Sequence, residues 1–266
     1  MGNLEQTANR IVAEISQNQM NSMQFPRSVR CKECGGTGWI TWYDENNYEV
    51  AKQCKCMEKI IYGRRIEFAQ IPPIYADNRL SNFQLSVYED KKTVQSACML
   101  VKKYLDDFKK NSKKGMGLYI YSNMKGSGKT RLASSIANDL IERYYSVRFA
   151  TCMEIFDEIR KTYDKSADYT ESDVLNCITR CKVLVIDDFG VEFSNDWRNE
   201  KLYTIINSRY VNGLPTIYTS NFSVDNLRCD DRIKSRVIEK TLQIHFSEEN
   251  IRRKLALENM QDIVNG

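Results

Sequence analysis

Residues 119–139 read YIYSNMKGSGKTRLASSIAND, and the fold turns on whether this stretch is a phosphate-binding loop. It matches G-x-x-x-x-G-K-[ST] at Gly128, Lys129 and Thr130, but Asn123 stands where the first glycine belongs. A strand pattern, GLYIY at 117–121, precedes the loop and a helical pattern follows Gly128, which is the setting a P-loop requires. Backbone N–H groups of Lys125, Gly126, Ser127, Gly128, Lys129 and Thr130 would converge on phosphate oxygens, with the helix N-terminus adding about half a positive charge. Arg131 follows directly and joins the candidate nucleotide-binding residues. Lys129 would reach the β and γ phosphates of ATP, and the Thr130 hydroxyl would bind Mg2+. The first loop position is expected to need a positive φ. Asn tolerates that better than other non-glycine residues, so Asn123 reads as a tolerable departure.

Working outward, strand and helix patterns alternate. VRFAT (147–151), KVLVIDD (182–188), PTIYTS (215–220) and TLQIHF (241–246) read as strands, with helices at 152–163, 197–213 and 230–239. Together with GLYIY they predict a parallel five-stranded sheet with helices on both faces, an α/β fold. KVLVIDD has the Walker B form, an apolar run ending in two acids. Asp187 would hold Mg2+ through its water, and Asp188 would orient the attacking water. Asp is one methylene shorter than the Glu many ATPases use, so that water must sit closer. The alternative is a buried strand ending in a solvated acidic turn. In sheets of the ASCE type the next strand lies between the P-loop and Walker B strands. Asn221 at its tip is then a candidate γ-phosphate sensor, the alternative being a plain loop asparagine.

Nine cysteines follow an N-terminus, MGNLEQTANRIVAEISQ, that lacks the basic start and apolar core of a signal peptide. The expectation is a cytoplasmic protein whose cysteines are thiols or metal ligands. Cys31 and Cys34 form C-x-x-C, and Cys54 and Cys56 form C-x-C nineteen residues later. Four thiolates close a tetrahedral Zn2+ site without an open position, so the metal would be structural. A redox pair or unrelated free thiols are the alternatives. Cys98, Cys152, Cys177, Cys181 and Cys229 fall in helices or at strand entries and read as small core or surface residues. His245, the only histidine, sits in a strand and reads as structural.

The remaining sequence sets the organisation. Residues 3–19 place Leu4, Ala8, Ile11 and Ile15 at helical spacing, and 20–30 read as a linker. IPPIYADNRLSNF (71–83) is a connector, and 89–110 a helix with Val94, Cys98, Val101, Leu105 and Phe108 on one face. Three units result: an N-terminal helix and zinc-binding module over 1–60, a connector over 61–88 and the ATPase domain over 89–266. A net charge of +4 permits nucleic-acid contact without demanding it. No apolar run approaches a membrane span, and Gln6 in place of Ser or Thr argues against myristoylation.

SNMKGSGKT, VLVIDDFG, PTIYTSN and DDRIKSRV, in this order and spacing, resemble the AAA+ ATPases of the DnaC/DnaI/IstB group, the replicative helicase loaders and their relatives, some of them phage-encoded. The connector and the CKEC…CKC module are similar to segments of the same proteins, so the resemblance covers residues 30–258. It implies a DnaB-type helicase as partner, docked by the N-terminal helix and zinc module, together with single-stranded DNA and ATP hydrolysis coupled to helicase release. It places the arginine finger at Arg236, with Arg232 as a supporting cation, and hence implies self-association. It also implies a minimal C-terminal lid in which Arg252 or Arg253 stands for the sensor-2 arginine. The 152–163 helix occupies the place of a DNA-touching helix. Arg160 and Lys161 are candidate phosphate contacts there and Thr151 a cap, while Ile155, Phe156 and Ile159 read as core. An IstB-like transposition ATPase, a DnaA-like initiator, a nucleotide switch with little hydrolysis and a zinc-ribbon adaptor with a vestigial P-loop are the other readings.

Overall fold

The computed structural model describes residues 31–164, 166–190 and 196–265. The helix expected at 3–19 and the linker at 20–30 lie outside the described residues. The chain opens with an antiparallel hairpin, β1 (Trp39–Tyr43) and β2 (Glu49–Gln53), followed by α1 (Met57–Ala69). Three short 3-10 turns lead to α2 (Lys91–Asp106) and α3 (Phe108–Lys113). Next come β3 (Gly117–Tyr121), α4 (Lys129–Glu142), β4 (Val147–Thr151), α5 (Cys152–Lys161), α6 (Glu171–Arg180) and β5 (Val183–Asp187). The chain continues with α7 (Asp196–Val211), β6 (Thr216–Ser220), α8 (Asp231–Lys240), β7 (Thr241–His245) and α9 (Ile251–Asn265).

β3 to β7 form one parallel sheet in the order β4-β5-β6-β3-β7. Side chains alternate across a strand, and here both sets are apolar. Leu118, Ile120, Val183 and Val185 enter one core with Val94, Val101, Leu132 and Ile136 of α2 and α4. Tyr119, Leu184 and Ile186 enter a second core with Ile155, Phe156 and Ile159 of α5, Ile178 of α6, Ile205 of α7 and Ile233 of α8. A sheet apolar on both sides must be covered on both sides, and the expected five-stranded α/β architecture follows. β6 lies between β5 and β3, as the ASCE pattern requires. Gly117 fits because β6 passes too close for a side chain: a Cβ there would lie 1.8 Å from Thr216 O.

Arg209 of α7 is 1% exposed, and its guanidinium is held at this end of the sheet by oxygens and by the Cys181 sulfur (3.4 Å). It donates to Thr216 Oγ1 (2.9 Å), Ile178 O (3.0 Å), Cys181 O (2.9 Å) and Pro215 O (2.7 Å), tying α6 to the entries of β5 and β6. A buried charge needs such partners to be tolerated.

Three local features differ from the sequence expectation. The 89–110 helix ends at Asp106, and α3 follows. α6 was not foreseen, although Thr170 and Asp173 form its capping box. α1 runs through residue 60, where module and connector were divided, and its Phe68 carbonyl accepts from Arg148 of β4 (3.2 Å). The connector itself is packed along α4. Asn138 donates to Tyr75 O (2.9 Å) and Asn78 O (3.0 Å), Asn78 donates to Ser134 Oγ (2.8 Å), and Arg79 pairs with Glu142 (2.8 Å). No described helix is long and apolar enough to cross a membrane.

Candidate functional site

The 122–130 loop leaves the exit of β3 and turns into α4, whose N-cap is Gly128 at φ +103°. Only glycine takes that angle without strain, and a Cβ would also lie 2.4 Å from the Tyr88 hydroxyl. That hydroxyl donates to Ser127 O (2.9 Å), so the connector braces the loop from behind. Lys129 is 5% exposed, and its ammonium donates to Met124 O (2.9 Å) and Ser122 O (3.3 Å). Burial pulls its pKa down, against the attraction of Asp188, Glu248 and Asp187. Lys125 is exposed at the loop tip.

Asn123 corrects the sequence expectation. Among the described residues, positive φ outside glycine occurs at Asn47, Gln70, Tyr144 and Asp188, so position 123 does not need it. The loop entry is pinned from the C-terminal side instead. The Glu248 carboxylate accepts from the Asn123 and Met124 amides (both 3.0 Å) and bonds His245 Nε2 (2.8 Å). His245 is thereby structural, as its strand position implied.

At the exit of β5, Thr130 Oγ1 lies 3.0 Å from both carboxylate oxygens of Asp187. Burial pushes the Asp187 carboxyl up to about 6, against hydrogen bonds from Thr219 and Thr130, and the Asp188 charge adds to the rise. Thr219 of β6 donates to Asp187 Oδ1 and accepts from the Asp188 amide (3.0 Å). It was missed in the sequence because a threonine in a strand reads as ordinary β propensity. The available signal was its place two residues before Asn221, on the same side of the strand. Asn221 is half-buried and makes no side-chain hydrogen bond among the described residues. Asp188 holds a left-handed backbone at φ +53°. The hard oxygens of Thr130 and Asp187, side by side above a glycine-bearing helix N-terminus, suit a Mg2+-nucleotide.

The remaining candidates divide. The Arg252 amide donates to Gly126 O (3.1 Å), and Arg253 instead bonds Asn250 (3.0 Å), so Arg252 is the one at the loop. Arg131 turns away to Asn82 O (3.1 Å) and stacks on Phe83. Arg236 lines a cleft with Gly115, Thr216 and Thr241. These residues mark the entries of β3, β6 and β7, so Arg236 lies at the opposite end of the sheet from its own P-loop. On α5, Thr151 caps the helix and Ile155, Phe156 and Ile159 are core. Arg160 pairs with Asp157 (3.9 Å), and Lys161 is exposed.

The four sulfurs of Cys31, Cys34, Cys54 and Cys56 lie within 4.8 Å of one another. Cys31 and Cys54 are 3.6 Å apart, and Cys34 and Cys56 3.3 Å. Tetrahedral zinc with bonds of about 2.3 Å separates its sulfurs by about 3.8 Å, so the cluster fits Zn2+. Burial alone would raise the Cys34 thiol, but hydrogen bonds from Cys56 and the Gly38 and Gly36 amides bring it down to about 6. The other five cysteines lie apart from this cluster.

Residues 119–241 match a family model described as IstB-like ATP binding protein. The replicative helicase loader DnaI of Bacillus subtilis (strain 168) is 37% identical over 116 residues, 43% of this chain and 36% of that protein. That match spans about a third of the relative's length. The replicative helicase loader DnaC of Buchnera aphidicola subsp. Baizongia pistaciae is 26% identical over 238 residues, 86% of this chain and 92% of that one. A crystal structure of DnaI aligns with a TM-score of 0.55 at 26% identity, covering 68% of this chain and 94% of that one. Residues 119–241 are therefore similar to IstB-like ATP binding proteins, on an α/β fold like that of DnaI, in a chain homologous to proteins named replicative helicase loaders.

Proposed function

We propose that this protein loads a DnaB-type hexameric helicase onto single-stranded DNA during replication initiation and couples ATP hydrolysis to the helicase's release. One observation carries the reading: a four-cysteine hairpin is joined through α1 and a packed connector to a glycine-bearing loop whose Thr130 meets Asp187 at the exit of β5. The division of labour is an exposed docking module and a buried engine.

In the engine, the amides of the loop and the Lys129 ammonium hold the β and γ phosphates, and Thr130 and Asp187 hold Mg2+. Bound Mg2+ offsets charge on the phosphates. Asp188 orients the attacking water from the tip of β5, Asn221 faces the γ-phosphate side, and Arg252 supports the loop from α9. Arg236 is too far from its own P-loop to serve it, which supports action on a neighbouring chain. A finger in trans offsets charge developing on the transferred phosphoryl group and requires an oligomer. Zn2+ in the cysteine cluster keeps residues 31–56 rigid enough to dock the helicase. Arg160 and Lys161 offer contacts to DNA phosphates.

The test is a pull-down from the native host with the full chain and with a variant lacking residues 1–56. The full chain should retain a hexameric helicase and show DNA-stimulated ATP turnover. The truncated chain should lose the helicase and still bind ATP. Retained helicase binding by the truncated chain would refute the division of labour.

A further inference from the structure

Arg232, Arg236 and Lys240 recur every four residues along α8 and so share one stripe. Tyr203 and Tyr210, seven residues apart on α7, share another. The two stripes interleave. Arg232 lies 4.3 Å from the Tyr203 ring centre, Arg236 5.0 Å from Tyr203 and 5.3 Å from Tyr210, and Lys240 5.4 Å from Tyr210. Within this ladder the Arg236 guanidinium bonds through all three nitrogens. Nε donates to Asn207 Oδ1 (3.0 Å), Nη1 to Arg232 O (2.9 Å) and Nη2 to the Tyr203 hydroxyl (3.3 Å).

The chemistry of these partners is selective. A guanidinium carries five N–H donors. Three are used, which leaves one on each terminal nitrogen. The acceptors are an amide, a carbonyl and a phenol, so none of the hydrogen bonds cancels the charge. Arg232, beside it, is instead bound by the Asp230 carboxylate (2.7 Å). We infer that Tyr203 and Asn207 are positioning residues that hold Arg236 with its charge intact and two N–H groups free to fork onto one phosphate of a neighbouring chain's ATP. The inference rests on Arg236 acting in trans. Ordering a free arginine side chain costs rotamer entropy. Holding it beforehand removes that cost from the moment of reaction.

The experiment uses mixed chains with single-stranded DNA. Lys129→Ala chains cannot bind ATP and donate only the finger. Arg236→Ala chains bind ATP and lack it. Their mixture should hydrolyse ATP. The finger donor is then replaced by Lys129→Ala carrying also Asn207→Ala, or also Tyr203→Phe, which keeps the ring and removes only the hydroxyl. Hydrolysis should fall about tenfold to a hundredfold, by the scale of a misplaced catalytic group. The loss should appear in kcat, with KM for ATP unchanged and melting temperatures of the donors unaltered, a split that a merely structural role would not give. Equal turnover with either modified donor overturns the positioning role. If the parental mixture is already dead while native gels show mixed oligomers, the trans reading itself fails, and the positioning role with it.

Discussion

In the cysteine hairpin, nearly every side chain of β1 and β2 faces solvent, Trp39, Trp42 and Tyr43 among them. In β5 and β6 every residue is buried. A two-stranded hairpin without a covered face is marginal at best in water, so residues 31–56 depend on their four thiols for order. The parallel sheet is closed on both faces by apolar layers and needs no ligand to stand. It can therefore hold Lys129, Thr130 and Asp187 in place before nucleotide arrives. On the proposed reading one region would take its shape from a metal, while the other has its shape already.

The largest effect that tests this contrast is metal removal. The freshly purified protein should carry about one zinc per chain. Chelation, or Cys34→Ser, should abolish hydrogen-exchange protection over residues 31–56, since structural zinc supplies roughly 10–16 kcal/mol in small domains. The ATP-binding domain should keep its own melting transition. Zinc-free protein with a protected hairpin would erase the contrast.

A smaller effect belongs to Asp187. Its rise from an ordinary 3.8 to about 6 corresponds to about 3 kcal/mol at about 1.4 kcal/mol per pH unit. The folded state takes up that proton more readily than the unfolded chain, so the protein without nucleotide gains stability as pH falls through about 6. Asp187→Asn should accordingly raise its unfolding free energy at pH 7.5, by up to that amount, and lose the advantage near pH 4. Mg2+-dependent ATP binding should be lost at the same time. Urea unfolding at the two pH values reads the effect, and a variant less stable at both would show that Asp187 is not a strained acid.

The smallest is Asn123→Gly. Glu248 already holds the loop entry, so glycine adds only backbone freedom, worth about 0.5–1 kcal/mol. ATP affinity should fall by less than about fivefold. An abrupt loss, measured by titration, would assign the Asn123 side chain a direct role.

Sequence legibility followed the locality of the signal. The five strands were placed to within about a residue because each is a short apolar run ended by a turn or by acids. The residues of the candidate P-loop and Walker B site stand out by type and spacing. The Glu248 clamp on Asn123 joins residues 125 apart, and no local pattern encodes it. Thr219 and the Arg236 cradle are hidden in the same way, since their partners come from other elements. α1 escaped notice because only Ile60 and Ala69 of its thirteen residues are buried, too few to mark a face.

The left-handed backbone at Asp188 has an evolutionary consequence. At φ +53° glycine, asparagine and aspartate are the residues most at ease. Gln70 holds φ +52° in the same chain, so a glutamate at 188 would be strained rather than excluded. A lineage that lengthened this acid would carry that strain at the β5 exit, where aspartate carries less of it.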